Sequence, residues 1–486
     1  ILRQWFGQQG WYDRKELSYR KLVDLVFLST MGPPGGGRQD VTPRFLRHFN
    51  IIGLVEMSEA SKTLIFGSIL TSFLQNFEGG LVTMAETIVA GSLHVFDRVV
   101  AELLPTPAKS HYTFNLRDLA KIFQGVLMCS PKIINSKEGL ARLWVHEVRR
   151  VFADRFTNAD DHAWMRDLLH HKVEGELGLV WDEVVPHDRI VYGDFMNSEL
   201  DYNQRLYDEI PDLAKLKAVV EEYLVDHNSE SKQPRPLVMF TDAIEHVARI
   251  ARILRQPQGN ALLLGVGGSG RQSMTKLATY IVGFQLCGVE IVKGYTLNDW
   301  REDLRRILMQ AGVKDTPTTF LFSDVQIIDE RMVEDINNIL NSGDVPNLYA
   351  AEDLEAISSA CRIECQKKKI PATKLNIFTQ YIIRVRRNMH LVVCMSPLGE
   401  AFRNRLRNFP ALVNNTTTDW FTNWPAEALQ SVGKSIIETA DLGLGDYLQQ
   451  SVTMFKTIHL SVEKSSIEYY EMMRRRNWVT PTSYLE

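Results

Sequence analysis

Residues 265–273, GVGGSGRQS, constrain this chain more than any other stretch. An apolar run at 261–264 leads in and a helical pattern at 274–282 leads out. A strand, a glycine turn and a helix in that order surround one anion-sized space with backbone N–H groups and a helix N-terminus, which is the physics of a phosphate-binding loop. The candidate ligands are Gly265, Val266, Gly267, Gly268, Ser269, Gly270, Arg271, Gln272 and Ser273. Gly265 and Gly270 fill the two required glycine positions, but Arg271 stands where a lysine belongs and Gln272 where a Ser or Thr would hold magnesium. Nucleotide binding without efficient hydrolysis is the expectation, and a mere glycine turn is the structural alternative.

At 486 residues the chain outgrows a single core, so two or three domains are expected. An apolar share of 45% and a charged share of 23% are those of a soluble globular protein. A formal net charge of -4 draws neither nucleic acid nor an anionic membrane. The cysteines, Cys129, Cys287, Cys361, Cys365 and Cys394, form no paired CxxC motif, which predicts reduced, buried thiols in an intracellular compartment and no metal–cysteine site. No apolar run reaches the roughly 18 residues needed to span a bilayer. The N-terminus, ILRQWFGQQGWYDRK, lacks a signal-peptide layout and begins within what reads as folded sequence, so a fragment of something longer is expected.

Residues 21–31, KLVDLVFLSTM, read as a buried strand that stops at the GPPGGGR turn, 32–38. Helical periodicity then runs from Glu56 to about His170. Residues 226–236, DHNSESKQPRP, read as an exposed loop. Beyond the glycine loop, strands at 289–292, 319–323 and 390–395 alternate with helices near 298–310, 332–341 and 400–407, predicting a parallel-sheet α/β fold. From about Pro425 the chain is again helical. An internal repeat organises the whole: FLSTMGPPGGGRQDVTPRFLRHFN resembles VVCMSPLGEAFRNRLRNFPALVN, and HYTFNLRDL resembles NWVTPTSYLE. The offsets all lie near about 360 residues, so two copies of one large module stand in tandem, the first truncated at its start and the second at its end.

Hydrolysis at a phosphate loop also needs an acidic strand end, where one Asp orients magnesium and a neighbouring Glu activates water. TTFLFSDV supplies Asp324 as a candidate magnesium ligand, with a turn cap as its structural alternative, but Val325 replaces the base. Asp329 and Glu330 follow on the next loop as weak substitutes. Ser396 is a weak candidate for positioning water; its counterpart in the first module is Gly32. Arg403, Arg405 and Arg407 lie on a basic helix that could project a guanidinium into a neighbouring module's phosphate pocket, and Arg47, less surely Arg44, carries the same argument in the first module. A solvated basic face is the alternative for each. Arg117 is a candidate lid residue for the first module's own pocket, whereas its counterpart, Tyr484, cannot do that work. The second module thus departs from a working ATPase at Arg271, Gln272, Val325 and Tyr484.

The motifs MGPPGGGR, TPRFLRHFN, HYTFNLRDLAKIFQG, GNALLLGVGGSGRQS, FLFSDVQI, INNILNSGDVPNLY, CMSPLGEAFRNRLRNFPALVN and NWVTPTSYLE together resemble the motor ring of dynein heavy chains, in the axonemal, ciliary form of the glycine loop. The resemblance implies tandem AAA+ P-loop NTPase modules, each a parallel-sheet large subdomain plus a helical small subdomain. It implies the end of the third large subdomain at 1–55, its helical small subdomain at 56–188, the fourth large subdomain at 189–424, and at 425–486 the start of the fourth small subdomain leading to the stalk. It further implies an ATP-driven, minus-end-directed microtubule motor of the ciliary axoneme, assembled in the cytoplasm, with this region regulatory; a structural spacer and a slow ATPase with an unconventional base are the alternatives. Arg407, with Arg403 or Arg405, would reach the third module's nucleotide, Arg117 would be that site's sensor, and Arg47 would face the second module. The implied cofactors are ATP or ADP with magnesium. The implied partners are the other modules, linker and stalk of the heavy chain, microtubules through the stalk, intermediate and light chains, and axonemal docking proteins.

Overall fold

A computed structural model describes every residue except 33–40, 79, 199, 201, 232, 233, 235, 236, 440–444, 476 and 486, and all described side chains but those of 203 and 446. The chain divides into two compact units, Ile1–Ser61 and Lys62–Glu486. Most of the expected GPPGGGR turn lies outside the described residues.

The first unit holds a helix, Leu2–Gln8, an antiparallel pair, β1 (Gly10–Tyr12) and β2 (Tyr19–Lys21), and a short helix, Pro43–Leu46. Its cohesion is aromatic: Phe6 packs on Trp5, Phe27, Phe45 and Phe49 and stacks on His48 at 5.2 Å. The strand expected at 21–31 is not formed beyond Lys21. A strand of a parallel sheet needs ladder partners, and none is present for it among the described residues of this unit, so Val26 and Leu28 are 88% and 94% exposed.

The second unit begins with a helical layer that includes Ala85–Glu102, Leu116–Val126, Lys137–Phe152 and Ala159–Gly175. Asn115, Ser136 and Asn158 cap the last three by accepting backbone N–H groups, so these starts are written in the local sequence. Trp144, Phe123, Leu93 and Leu169 fill the core between them. A two-residue pair, β3 (Tyr192–Gly193) and β4 (Asp208–Glu209), leads into the sheet layer.

Five strands follow: β5 (Ala261–Leu264), β6 (Gln285–Gly288), β7 (Thr318–Ser323), β8 (Met389–Met395) and β9 (Thr417–Trp420). They form one parallel sheet in the order β6-β7-β8-β5-β9. Alternate side chains separate into two cores, Leu262, Phe320, Phe322 and Val393 on one face, Leu263, Leu321, Val392 and Cys394 on the other. Helices Leu297–Gly312, Glu330–Ser342 and Lys374–Asn388 cover the first face, and helices Thr241–Arg255 and Arg271–Val282 the second.

Two further expectations need correction. The strand placed at 289–292 lies instead at 285–288, where Gln285 pairs with Thr318. It is an edge strand with a mostly exposed, mixed sequence, and the more apolar VEIV lies past the ladder, with Val292 64% exposed. The loop placed at 226–236 overlaps a helix that runs on to Glu230, anchored by buried Tyr223 and Leu224. Its solvent-facing last turn is polar, and polarity reads as loop. Among the described residues no helix is long and apolar enough to cross a membrane.

Buried ion pairs join the helical layer to the sheet layer. Glu147 and Arg252, 0% and 4% exposed, pair directly, and Tyr207 Oη donates to Glu147 Oε1 at 2.9 Å. Lys121 Nζ donates to the Thr416 carbonyl at 2.6 Å while it pairs with Asp118, which also holds Arg155 at 3.0 Å. Arg252→Ala should therefore cost about 3–5 kcal/mol in urea denaturation, because it strands the Glu147 carboxylate, whereas Glu147→Met with Arg252→Met should recover most of that loss. Burial holds the imidazoles of His111 and His390 down to about 4. The unfolded chain, with histidines near 6.5, binds more protons between these values, so stability should fall as pH drops from about 6.5 to 4, by up to about 1.4 kcal/mol per pH unit for each histidine. Denaturation of His390→Asn across that range should show a slope smaller by about one proton.

Candidate functional site

All five strands run the same way, so β5, β7 and β8 end on one edge. Leu264 is level with Met395 and Ser323 with Cys394, which sets residues 265, 324 and 396 in a row. The Gly265 N–H donates to the Met395 carbonyl at 3.3 Å. Asp324 Oδ2 accepts the Ser396 N–H at 2.7 Å, so the two meet through a turn-capping bond. Burial pushes the Cys394 thiol beneath them up to about 12, with the charge of Arg271 opposing and that of Asp324 adding.

Gly268 at φ +77° and Gly270 at φ +90° make the loop's turn, and Gly270 opens the helix Arg271–Val282. Two buried side-chain atoms of this loop, Ser269 Oγ and Arg271 Nη1, have no hydrogen-bond partner. Arg271 Nη2 donates to the Val266 carbonyl at 3.2 Å, so one side of the guanidinium braces the loop while the other is unspent. Gln272 is exposed. Orphaned donors beside a helix N-terminus fit a phosphate group. They offer magnesium little: Gln272 stands where the hydroxyl belongs, and one oxygen of Asp324 accepts from Ser396.

The C-terminal helix Pro481–Leu485 lies over the loop: a Cβ on Gly268 would stand 2.2 Å from Thr482 Oγ1 and 2.7 Å from its backbone nitrogen. Tyr484 instead donates its hydroxyl to the Leu429 carbonyl at 2.7 Å and packs edge-on to His459. Beside Ser269, Phe240 and Trp424 meet with ring centroids 5.7 Å apart, and with His246, Met274 and Phe421 they line a narrow cavity of about 10 Å³. Sequence reasoning missed Thr482, Phe240 and Trp424. For Thr482 the repeat held a signal, since its counterpart is the capping Asn115; the two aromatics are too far apart in sequence to be paired by eye.

The remaining candidates disperse. Val325 is 82% exposed at the mouth of the site. Glu330 pairs with Arg405 at 2.8 Å, and Asp329 caps the helix Glu330–Ser342 and pairs with Arg331, whose side-chain and backbone donors hold its carboxyl down to about 2. Both carboxylates are therefore engaged by arginines. Arg403 approaches Glu400 at 4.0 Å, and Arg407 is exposed with no ion pair among the described residues. Arg117 is exposed; its N–H donates to Asn115 Oδ1 at 2.8 Å, and it lines a separate cavity of about 310 Å³ with Lys121, Arg386 and Asn414. Arg47 belongs to the first unit, where its Nε donates to His48 Nε2 at 3.3 Å; Arg44 is exposed there.

A parallel sheet whose strand ends bring a glycine loop, an acidic turn and a polar strand tip into one row, with a helical lid, defines a P-loop NTPase module of the AAA+ class. A family model described as P-loop containing dynein motor region D4 matches residues 236–486, more than half of the chain. A further P-loop containing dynein motor region matches 1–57, and an AAA+ lid domain matches 88–185. The chain belongs to the dynein motor-region family. Similar proteins include Dynein axonemal heavy chain 1 of Rattus norvegicus, 46% identical over 100% of this chain and 11% of its own length. Dynein axonemal heavy chains 6 and 3 of Homo sapiens are 44% and 42% identical over 100% of this chain and 12% of their own length. The chain spans only 11–12% of the length of these curated relatives.

Gly268→Ala should strain a left-handed backbone position and collide with Thr482. Hydrogen exchange of 480–485 should accelerate several-fold in that variant and stay unchanged in Gly267→Ala, whose Cβ meets nothing within 4 Å.

Proposed function

We propose that this chain is a regulatory, nucleotide-binding part of an ATP-driven, minus-end-directed microtubule motor of the ciliary axoneme, assembled in the cytoplasm. The observation that carries the binding reading is the pair of orphaned buried groups, Ser269 Oγ and Arg271 Nη1, on a loop whose N–H groups open a helix. The phosphates of ADP or ATP would lie against Gly267, Gly268, Gly270 and these two groups. The purine would part Phe240 from Trp424 and lie over Met274. Chemistry at this loop would be slow, because Val325 supplies no base and Glu330 is tied to Arg405. Loss of a base and of a magnesium hydroxyl removes several kcal/mol of transition-state stabilisation while leaving main-chain phosphate contacts intact.

In this reading nucleotide occupancy is passed to the stalk through the helix Pro481–Leu485, which touches the loop at Gly268. Arg407 is the free member of the basic helix and the proposed finger to the third module's nucleotide, Arg403 being a lesser candidate and Arg405 already paired. Arg117 would act as that site's sensor and Arg47 would face the second module. The partners are the rest of the heavy chain, microtubules through its stalk, intermediate and light chains, and axonemal docking proteins. The domain limits proposed are 1–55, 56–188, 189–424 and 425–486.

A second reading, a structural spacer at the stalk root, is favoured by the bond from Arg271 to the Val266 carbonyl and by the seat of Thr482 on Gly268, which together fill the loop with the protein's own groups. Photolabelling the natively purified protein with 8-azido-ATP and mapping the labelled peptides separates the two. Label within 237–246 or 421–425, competed by ADP and lost in Arg271→Ala, is the expected result. Absence of label there would leave the spacer reading standing.

A further inference from the structure

Away from the phosphate loop, a cavity of about 430 Å³ lies where the helices Lys137–Phe152 and Ala159–Gly175 meet the helix Thr241–Arg255. Its wall carries more guanidinium than carboxylate: Arg149, Arg150, Arg166, Arg189 and Arg249 against Asp154, Asp188 and Glu245. Two of those carboxylates are each divided between two arginines. Asp154 takes Arg150 at 3.0 Å and Arg249 at 3.5 Å, and Glu245 takes Arg189 at 2.7 Å and Arg249 at 3.1 Å. The third, Asp188, is exposed and offers Arg149 only its backbone carbonyl, at 3.0 Å.

Asp242 and Asp419, beyond the wall, also take Arg189 at 2.8 Å and Arg249 at 3.1 Å, so the unspent donor capacity lies on Arg149, Arg150 and Arg166. Arg149 has no carboxylate within ion-pair distance among the described residues, and Arg166 reaches only Asp167, its neighbour in sequence, at 3.8 Å. Arg150 Nε is buried without a hydrogen-bond partner, and Arg249 Nε, also without one, faces Asp154 only at ion-pair distance, 3.5 Å. Burial first, and the charge of Arg150 second, pull the Arg149 guanidinium down to about 10, with the charge of Asp188 opposing. Planar guanidiniums converging on one concavity match the geometry of tetrahedral oxyanions, which they bind with paired N–H bonds. A cavity of this size is within the range of small-ligand sites.

We propose that this cavity is a second anion site, separate from the glycine loop, that takes a compact multivalent phosphate. Its occupant would bridge the helical layer to the sheet layer: Arg149 and Arg166 lie on one, while Arg249 holds Asp419 of β9 at 3.1 Å on the other. An anion bound only by the folded arrangement stabilises it by mass action.

The test is hydrogen exchange of the natively purified protein with inorganic tripolyphosphate, against sodium chloride at equal ionic strength. The expected result is at least several-fold protection of 149–154, 162–166 and 188–190 beyond the chloride control. Arg166→Gln, at a half-exposed position, should weaken that protection about tenfold in tripolyphosphate concentration while leaving any protection of 265–274 in place. Arg271→Ala should do the reverse, so that failure at one site is read apart from failure at the other. Protection confined to 265–274, protection matched by chloride, or an equal effect from a polyglutamate peptide would each overturn the assignment.

Discussion

The buried pair of Glu147 and Arg252 is the constraint on which the second unit depends. Neither charge touches water, so each would cost several kcal/mol to bury alone, and only their mutual contact, with Tyr207 closing the remaining lone pair, makes the junction tolerable. Apolar side chains could hold the helical layer against the sheet in several registers. A charge pair, with Lys121 reaching the Thr416 carbonyl and Asp118 holding Arg155, accepts one. Thr416 immediately precedes β9, and β9 is the ladder neighbour of β5, the strand that delivers the glycine loop. The helical layer and the loop are therefore parts of one mechanical body, joined through hydrogen bonds at identifiable atoms.

That body explains why an arginine can stand where a phosphate loop normally carries lysine. A lysine is a compact point charge on a flexible stem and is spent on the ligand. A guanidinium has a fork: Arg271 gives one nitrogen to the Val266 carbonyl, which stiffens the turn, and keeps another for an anion. Under the proposed reading the exchange would suit retention more than turnover, since no magnesium hydroxyl stands at Gln272. In that reading the departures at 271, 272 and 325, separate in the sequence, act in one direction.

The site's local part was legible in the sequence because its signal is local. Glycines at fixed spacing, an apolar strand before and a helix after are enough to place residues 265–273, and the ends of β7 and β8 followed from apolar runs of ordinary strand length. What escaped were contacts between distant residues. Phe240 and Trp424 meet beside the loop across most of the second module, and no periodicity links them. β9 was missed because TTDW is polar; its Thr417, Thr418 and Asp419 are nonetheless buried, Asp419 being satisfied by His246 and Arg249. β6 was displaced by a few residues because an edge strand need not be apolar. The strand expected at 21–31 failed for the opposite reason, an apolar pattern without a ladder partner among the described residues of its unit.

Under the proposed reading, the contact between Gly268 and Thr482 links retention to regulation. A phosphate loop that hydrolyses must release product, and the free energy released is what moves a lid. In that reading the loop, lacking a base, has no such stroke, so its influence on the lid would come from occupancy alone. Occupancy acts only if ligand and lid share space, and Thr482 Oγ1 lies 2.2 Å from where a Cβ on Gly268 would stand, beside the proposed phosphate position. Under the proposed reading, nucleotide and the helix Pro481–Leu485 are then coupled by exclusion or by contact, reciprocally and without any chemical step. Tyr484, which in the first module's counterpart is the charged Arg117, turns instead to the Leu429 carbonyl and ties the end of the lid to the helix Ala426–Thr439. In the proposed reading, a lid anchored by Tyr484 and seated on the loop by Thr482 would report whether the loop is filled.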